Sequence, residues 1–290
     1  MTGKDSFMNP TSTQPMRWPL EAIWEAITRS KPNLEGFTAE ALPDIDSTNS
    51  ELMRRFKGAP GIATRPEPTL LVAETQTAGR GRLGRQWHSQ RGDSLTFSLG
   101  MAMEPLDWSG LSLAVGISIA ESLDELHGSG EHIALKWPND LWIGKPGAER
   151  KLGGILVETA TLDGKRYVVI GVGINISGVG PATAGMPPGY LQDLFPGLDA
   201  PAALLCIVPR LVQNIQALAQ FGFVPFQARF ARRDVLSGRA VLLSDGLAGT
   251  AHGVGENGAL LVHTSAGMKE ITSSEVSVRP VQTNGGPRPC

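Results

Sequence analysis

Cysteine and long apolar runs are scarce in this 290-residue chain, and each shortage excludes a class of protein. The two cysteines, Cys206 in an apolar stretch and Cys290 at the C-terminus, form neither a disulfide framework nor a metal-ligand pattern. No run of 18 apolar residues occurs, and residues 1–15 contain no apolar signal-peptide core. These shortages predict a cytoplasmic protein that does not span a membrane.

Charge of one sign and several catalytic motifs are also lacking. With 26 Lys and Arg against 28 Asp and Glu, the net charge of -2 indicates no global nucleic-acid footprint, so any anion site must be local. The histidines have no zinc-ligand spacing. Neither G-x-x-x-x-G-K-[ST] nor G-x-S-x-G occurs, which argues against a P-loop and against a covalent acyl-enzyme.

A stretch rich in glycine and arginine, "GRGRLGR" at residues 79–85, is the most unusual feature that is present. Its first six letters match G-x-G-x-x-G, and a strand-like segment precedes it. The residues that follow predict a polar turn and another strand instead of the helix that a dinucleotide site requires. Arg80, Arg82 and Arg85 on a glycine-rich backbone therefore indicate an anion lying close to the main chain.

Apolar periodicity divides the chain into four parts. Helices are predicted in residues 20–29, 108–126 and 201–221, and a further helix is predicted to begin with a capping box of Thr48 and Glu51. After residue 232 short strands and turns predict a small all-β domain. We expect an N-terminal extension (1–41, its first part mobile, with one short helix), a catalytic domain (42–232), a C-terminal domain (233–282) and a tail (283–290).

Four further stretches have ordinary explanations when each is taken alone. They are "DSTN" (46–49), "KWPND" (136–140), "KLGGILVE" (151–158) and "GVGIN" (171–175). A helix cap, a strand end with a turn, a solvated lysine and close strand packing would account for them. Together with the glycine-rich stretch and in this order, residues 42–281 resemble the biotin protein ligases that act on acetyl-CoA carboxylase.

The resemblance implies a fold and a reaction. The fold would be α+β, a mixed, largely antiparallel sheet backed by helices, with a small C-terminal SH3-like β-barrel. The enzyme would use ATP to activate biotin as biotinyl-5'-AMP and transfer it to a lysine of the biotin carboxyl carrier protein. Biotin and ATP would be substrates, with Mg²⁺ required and no tightly bound cofactor. We expect a monomer or homodimer that binds no DNA, because some 40 N-terminal residues are too few for a winged helix.

The resemblance also assigns residues to roles. The catalytic set is Arg80, Arg82, Lys151, Lys136 and Asp140. The biotin contacts are Ser47, Thr48, Asn49, Gln76, Arg80, Gly81, Arg82, Lys151, Gly153, Gly154 and Gly171. The ATP and adenylate contacts are Arg82, Trp87, Lys136, Asn139, Asp140, Lys151, Asn175 and Arg279. No resident metal is expected. Asp140 would either help to hold Mg²⁺ or orient the incoming lysine.

Two rival functions remain at this point. A lipoate or octanoate ligase or transferase would share the catalytic fold, and a biotin sensor would bind only the adenylate and DNA. The pairing of "GRGRLGR" with "KWPND" favours biotin, and the net charge of -2 counts against the sensor. Because ordering a glycine-rich loop is entropically costly, we expect residues 77–87 to be mobile when no ligand is bound.

Overall fold

The computed structural model describes residues 16–281 except 31–33, 35, 59–63, 106, 129, 179–185 and 273–277, so the predicted tail and the first fifteen residues lie outside it. The helices are α1 (Leu20–Ser30), α2 (Thr48–Lys57), α3 (Leu111–Asp124), α4 (Ala200–Phe221) and α5 (Val224–Ala231). The first seven strands are β1 (Thr38–Ile45), β2 (Thr69–Gln76), β3 (Ser94–Ala102), β4 (Ala134–Lys136), β5 (Asp140–Ile143), β6 (Arg150–Leu162) and β7 (Lys165–Asn175). The last five are β8 (Ala240–Leu243), β9 (Ala248–Val254), β10 (Leu260–Thr264), β11 (Gly267–Ile271) and β12 (Val278–Pro280).

A seven-stranded sheet with the order β1-β2-β3-β7-β6-β5-β4 forms the larger part of the molecule. The β1–β2 pair is parallel, and the other pairs in this sheet are antiparallel. The prediction of a mixed, largely antiparallel sheet is therefore confirmed. The long hairpin of β6 and β7 lies at its centre. These two strands are hydrogen-bonded neighbours, so their glycine motifs lie side by side.

Helices α3 and α4 cover one face of this sheet. The sequence of α3 is apolar nearly all round, and the helix is buried along its length, as predicted. Helix α4 is long and apolar enough to cross a membrane by length and composition alone. In the structure it packs against α3 and α1, with Leu204, Ile207 and Leu211 fully buried, which is the behaviour of a core helix.

Helix α2 packs on the other face of the sheet, where Leu52 and Phe56 join a second apolar cluster. The predicted capping box of Thr48 and Glu51 is wrong. Ser47 is the N-cap, and its Oγ accepts a hydrogen bond from the Ser50 backbone N–H at 3.3 Å. Glu51 instead pairs with Arg55 at 2.9 Å. Two consecutive residues, Ser47 and Thr48, suit a cap equally well, so sequence alone placed the helix start one residue late.

The C-terminal strands form a five-stranded sheet in the order β11-β10-β9-β8-β12, with every described pair antiparallel. This agrees with the small all-β domain that the sequence predicts. The sheet is joined to the larger unit beside "KWPND", where the buried Trp137 Nε1 donates to the Gly258 carbonyl at 3.1 Å. The turn between β4 and β5 is thus held by both parts of the molecule.

Candidate functional site

A cavity of about 1480 Å³ opens where the start of α2, the glycine-rich loop, the β4–β5 turn, β6, β7 and β12 meet. It brings together residues that are far apart in the sequence. The predicted site residues that line it are Ser47, Thr48, Asn49, Gln76, Arg80, Gly81, Arg82, Trp87, Lys136, Asn139, Asp140, Lys151, Gly154, Gly171, Asn175 and Arg279. Among the predicted set, Gly153 does not line this cavity.

The position of Gly153 follows from strand alternation. A Cβ on Gly153 would lie 2.5 Å from the Gly173 carbonyl oxygen, between β6 and its neighbours. A Cβ on the next residue, Gly154, would instead point toward Lys151, 3.5 Å from Nζ. Successive residues of a strand face opposite sides, so only one of the two glycines can border the cavity. Gly153 is explained by close packing inside the sheet.

Polar groups at the start of α2 form one end of the cavity, which we call the amide end (Ser47, Thr48, Asn49, Gln76). Gln76 Oε1 accepts from the Thr48 backbone N–H at 2.8 Å, and a backbone N–H can only donate. This contact fixes the orientation of the amide and leaves Gln76 Nε2 without an acceptor among the described residues. The Ser47 hydroxyl accepts from Ser50 and keeps its own proton for a ligand.

Asn49 has a different role at this end, because its side-chain amide already makes hydrogen bonds to other protein groups. Asn49 Oδ1 accepts from the buried Ser98 hydroxyl at 2.6 Å, and Nδ2 donates to the Leu156 carbonyl at 3.3 Å and to Glu158 Oε2 at 3.0 Å. A Cβ at Gly171 would lie 2.2 Å from Asn49 Oδ1, so glycine is required there. Asn49 therefore builds the wall of the amide end.

The glycine-rich loop is a small hairpin (residues 79–87) with a 3-10 turn at its tip, Arg82–Gly84. Arg80 and Gln86 form a β-bridge, the Gly81 N–H donates to the Arg85 carbonyl at 2.7 Å, and the Trp87 N–H donates to the Gly79 carbonyl at 2.9 Å. A strand, β3, follows the loop, so the rejection of a dinucleotide-binding loop is confirmed. Its mobility in the absence of ligand stays a prediction.

Arg80 and Arg82, two of the three arginines on the hairpin, reach different parts of the site. Arg80 makes a two-pronged contact, at 3.0 Å and 3.2 Å, with Glu158, a residue that does not line the cavity. Arg82 Nη1 donates to Asn139 Oδ1 at 3.3 Å, on the β4–β5 turn. Burial lowers the pKa of Arg82, but a guanidinium remains charged at any working pH. Arg82 thus supplies a fixed, partly desolvated cation to the cavity.

Two lysines and one carboxylate lie next to Arg82, and with it they form what we call the cation cluster (Arg82, Lys136, Asp140, Lys151). Lys151 Nζ lies 2.7 Å from Asp140 Oδ1, and Lys136 Nζ lies 3.8 Å from Asp140 Oδ2. Burial, helped by the nearby Lys151, lowers the pKa of Lys136 to about 8, although Asp140 opposes the shift. Three cations around one carboxylate leave an excess of positive charge, which suits a bound anion.

A flat apolar surface for a ring lies beside the cation cluster. The Trp87 indole packs on β7 at Gly173, where an added Cβ would lie 2.4 Å from the ring. Trp87 Nε1 is buried and has no acceptor among the described residues, so a ligand could supply one. Asn175 ties two segments together, because its Nδ2 donates to the Lys151 carbonyl at 3.2 Å and the Gly189 carbonyl at 3.1 Å. Arg279 reaches the cavity rim from β12.

Several residues of the site were not found from the sequence. Ser98 and Glu158 hold Asn49, and Gly173 makes room for Trp87. Glu158 and Gly173 belong to the motifs "KLGGILVE" and "GVGIN", so these motifs could have identified both residues. Ser98 lies in a strand whose sequence has no distinguishing pattern. Among the described residues no group of three or more His, Cys, Asp or Glu could hold a metal ion.

Comparison with known proteins gives consistent matches over both sheets. Residues 43–175 match the biotin/lipoate A/B protein ligase family, and residues 236–279 match the biotin protein ligase C terminal domain. The bifunctional ligase/repressor BirA of Escherichia coli is 33% identical over 86% of this chain and 76% of its own length. A biotin--[acetyl-CoA-carboxylase] ligase of Paracoccus denitrificans is 28% identical over 81% of this chain and 98% of its own. The Aquifex aeolicus biotin protein ligase in complex with biotin and ATP has 30% identity and a TM-score of 0.69, over 84% of this chain and 99% of that one.

Proposed function

The chain belongs to the biotin protein ligases, and we propose that it joins biotin to ATP and passes the biotinyl group to a lysine of the biotin carboxyl carrier protein of acetyl-CoA carboxylase. The first step would form biotinyl-5'-AMP and release pyrophosphate. The second would form an amide with the carrier lysine and release AMP. We further propose that the reaction takes place in the cytoplasm, where ATP is supplied.

The observation that carries this proposal is the juxtaposition of the amide end and the cation cluster in one cavity. Biotin has a polar ureido head, an apolar body and a carboxylate, so it needs hydrogen-bonding groups at one end and positive charge at the other. Ser47 and Gln76 offer free donors at the amide end. Lys151 and Arg82 supply the charge where the carboxylate would meet the α-phosphate.

Electrostatic stabilisation is the main chemical task in the first step. A carboxylate oxygen attacks the α-phosphorus while pyrophosphate leaves, and both reactants are anions. Lys151, Lys136 and Arg82 would neutralise the charge that develops on the phosphate oxygens, and their positions are already set before the reaction. The adenine would lie against Trp87, and Arg279 would reach the nucleotide from β12. Mg²⁺ would enter as the complex with ATP.

Asp140 has two candidate roles in this scheme, Mg²⁺ binding and orientation of the incoming lysine. Its carboxylate already accepts the Lys151 ammonium at 2.7 Å and faces Lys136 at 3.8 Å. The carrier lysine arrives as the same kind of donor, an ammonium group, and its nitrogen can attack once that group has released one proton to solvent. We therefore favour the orientation role, in which Asp140 holds the carrier amine beside the adenylate carbonyl.

We propose a catalytic domain from residue 42 to 232 and a C-terminal SH3-like domain from 233 to 282, and note that β1 begins at Thr38 and that α1 packs on α4. We also propose a monomer or homodimer that acts as a ligase without binding DNA, because the chain has a net charge of -2.

Labelling of an isolated carrier domain tests the proposed function. The full chain is incubated with biotin, ATP, Mg²⁺ and an apo carrier domain, and the carrier is analysed by mass spectrometry. We expect the mass to rise by one biotinyl group at one lysine. A carrier in which that lysine is replaced by arginine is the matched control and should stay unlabelled. Absence of labelling on the intact carrier, with adenylate formed, would reject the acetyl-CoA carboxylase carrier as the acceptor.

A further inference from the structure

Glu158, the last residue of "KLGGILVE", is partly buried on β6 and does not line the cavity. Its carboxylate nevertheless contacts two residues that do. Glu158 Oε1 accepts from Arg80 Nη2 at 3.0 Å, and Oε2 accepts from both Arg80 Nη1 at 3.2 Å and Asn49 Nδ2 at 3.0 Å. One side chain thus joins the glycine-rich hairpin to the start of α2.

The two hydrogen bonds between Arg80 and Glu158 form a strong, directional contact. A guanidinium and a carboxylate that share two parallel hydrogen bonds are held in one relative orientation, unlike a single surface ion pair. The side chain of Glu158 is 22% exposed and that of Arg80 is 48% exposed, so water weakens the pair only in part. Because Glu158 accepts from both terminal nitrogens of Arg80, these two nitrogens are already engaged by the protein before a ligand enters the cavity.

We propose that Glu158 is a positioning residue for biotin binding, which acts through Arg80 on the hairpin and through Asn49 on the amide end. This inference rests on the proposed function. Arg80 then anchors the hairpin and leaves the contact with reacting oxygens to Arg82, whose guanidinium lies by Asn139 at the cation cluster. The hairpin is held at one end by Glu158 and at the other by the β4–β5 turn.

The physical consequence is a hairpin that is restrained at Arg80 before the ligand arrives, so that the ligand has less of the mobile loop left to order. A glycine-rich loop loses much backbone entropy when it is fixed, and a ligand that must fix it binds more weakly. The Glu158–Arg80 pair restricts the hairpin beforehand and also keeps Asn49 in the wall of the amide end. Its loss should weaken biotin binding and adenylate retention without slowing the chemical step at saturating biotin.

The variant Glu158→Gln of the full chain tests this inference by steady-state pyrophosphate release. We expect the KM for biotin to rise by about tenfold, because one partly exposed two-pronged pair is lost, and kcat to stay within about twofold. Glu131→Gln is the matched control, since Glu131 pairs with Arg232 at 3.1 Å on an exposed surface outside the cavity. It should leave both constants unchanged. If Glu158→Gln unfolds, Glu158→Asp, which keeps the charge on a shorter side chain, is measured instead with the same expectation.

A double-mutant cycle separates positioning from catalysis. Arg80→Ala should reproduce the part of the rise in the KM for biotin that acts through the hairpin, and Arg80→Ala combined with Glu158→Gln should be no worse than Glu158→Gln alone. An unchanged KM in Glu158→Gln would overturn the inference. So would a fall in kcat for Arg80→Ala alone, since that would place Arg80 on the reacting oxygens. A wild-type chain without biotin-dependent pyrophosphate release would instead reject the proposed function itself.

Discussion

Burial and one shared carboxylate, that of Asp140, determine the electrostatic environment of the lysines in the cation cluster. Lys136 is 8% exposed, which disfavours its charged form, while Asp140 and the neighbouring cations act in opposite directions. Lys151 is less buried and lies directly against Asp140. The cluster therefore contains one lysine, Lys136, that loses its charge within reach of ordinary assay conditions.

The pKa of Lys136, about 8, gives a pH prediction. Above this pH the ammonium is lost from the free enzyme, so the KM for ATP should rise from about pH 8 upward. Lys136→Arg keeps its charge and should remove this rise. The same pKa also predicts an effect on stability. Between pH 8 and the ordinary lysine pKa the unfolded chain keeps a proton on Lys136 that the folded chain has lost, so the free energy of unfolding should increase as the pH rises through this range. The measurement is the KM for ATP of both proteins from about pH 7 to about pH 9.5. An equal rise in Lys136→Arg would show that another group is responsible.

Motif order allowed the residue types of the site to be predicted, but not the partners of those residues. The sequence placed Arg80 among the groups that bind substrate oxygens, and its partner Glu158 is 78 residues away. It placed Asn49 on the ligand, and the Leu156 carbonyl that takes one of its donors is 107 residues away. Whether a polar side chain already has protein partners depends on the packed structure, so no local sequence pattern could have shown that Arg80 and Asn49 do.

The glycine-rich hairpin is the element that connects the two ends of the cavity. Arg82 lies at its tip and contacts Asn139 of the β4–β5 turn at 3.3 Å, so the hairpin covers the place where an adenylate would form. Enclosure of a reactive mixed anhydride keeps water away from it. Arg82 thus links the tip of the hairpin to the turn that borders the cavity.

Arg82→Gly should loosen this closure more than it blocks adenylation. We expect the variant to keep making biotinyl-5'-AMP, to release it, and to label an unrelated lysine-rich protein at a level several times that of wild type. The measurement is biotin incorporation into the bystander protein, with Arg65→Gly, an exposed arginine away from the cavity, as the control. Bystander labelling equal to wild type, with adenylate still formed, would show that the hairpin is not a lid.

Elements with long apolar patterns could be predicted, whereas only some of the short ones could. Helices α3 and α4 are 14 and 22 residues long, and apolar segments of that length are typical of buried helices and too long for most strands. Strand β5 has four residues and reads as part of the "PND" turn, and β1 contains a proline that weakens a strand pattern. These two strands and helix α5 were missed, because tertiary pairing and not local preference decides the structure of such short segments.

At the scale of the whole molecule, the cavity depends on both sheets. Trp137 and Gly258 join "KWPND" to the C-terminal sheet, and Arg239 pairs with Glu149 across the same boundary. Arg279 and its neighbours on β12 complete the cavity rim. The sequence predicted both units in the right order, but their contacts join residues at least 90 positions apart in the chain and could not be read from it.

Pyrophosphate release with biotin or lipoate as the acid tests the central claim most directly. The full chain is incubated with ATP, Mg²⁺ and one of the two acids, beside Lys151→Ala. We predict release that depends on biotin and falls by about a hundredfold or more in Lys151→Ala, the effect of losing one preorganised donor of positive charge. Equal or faster release with lipoate would contradict the assignment to biotin, and an unchanged rate in Lys151→Ala would contradict the role given to the cation cluster.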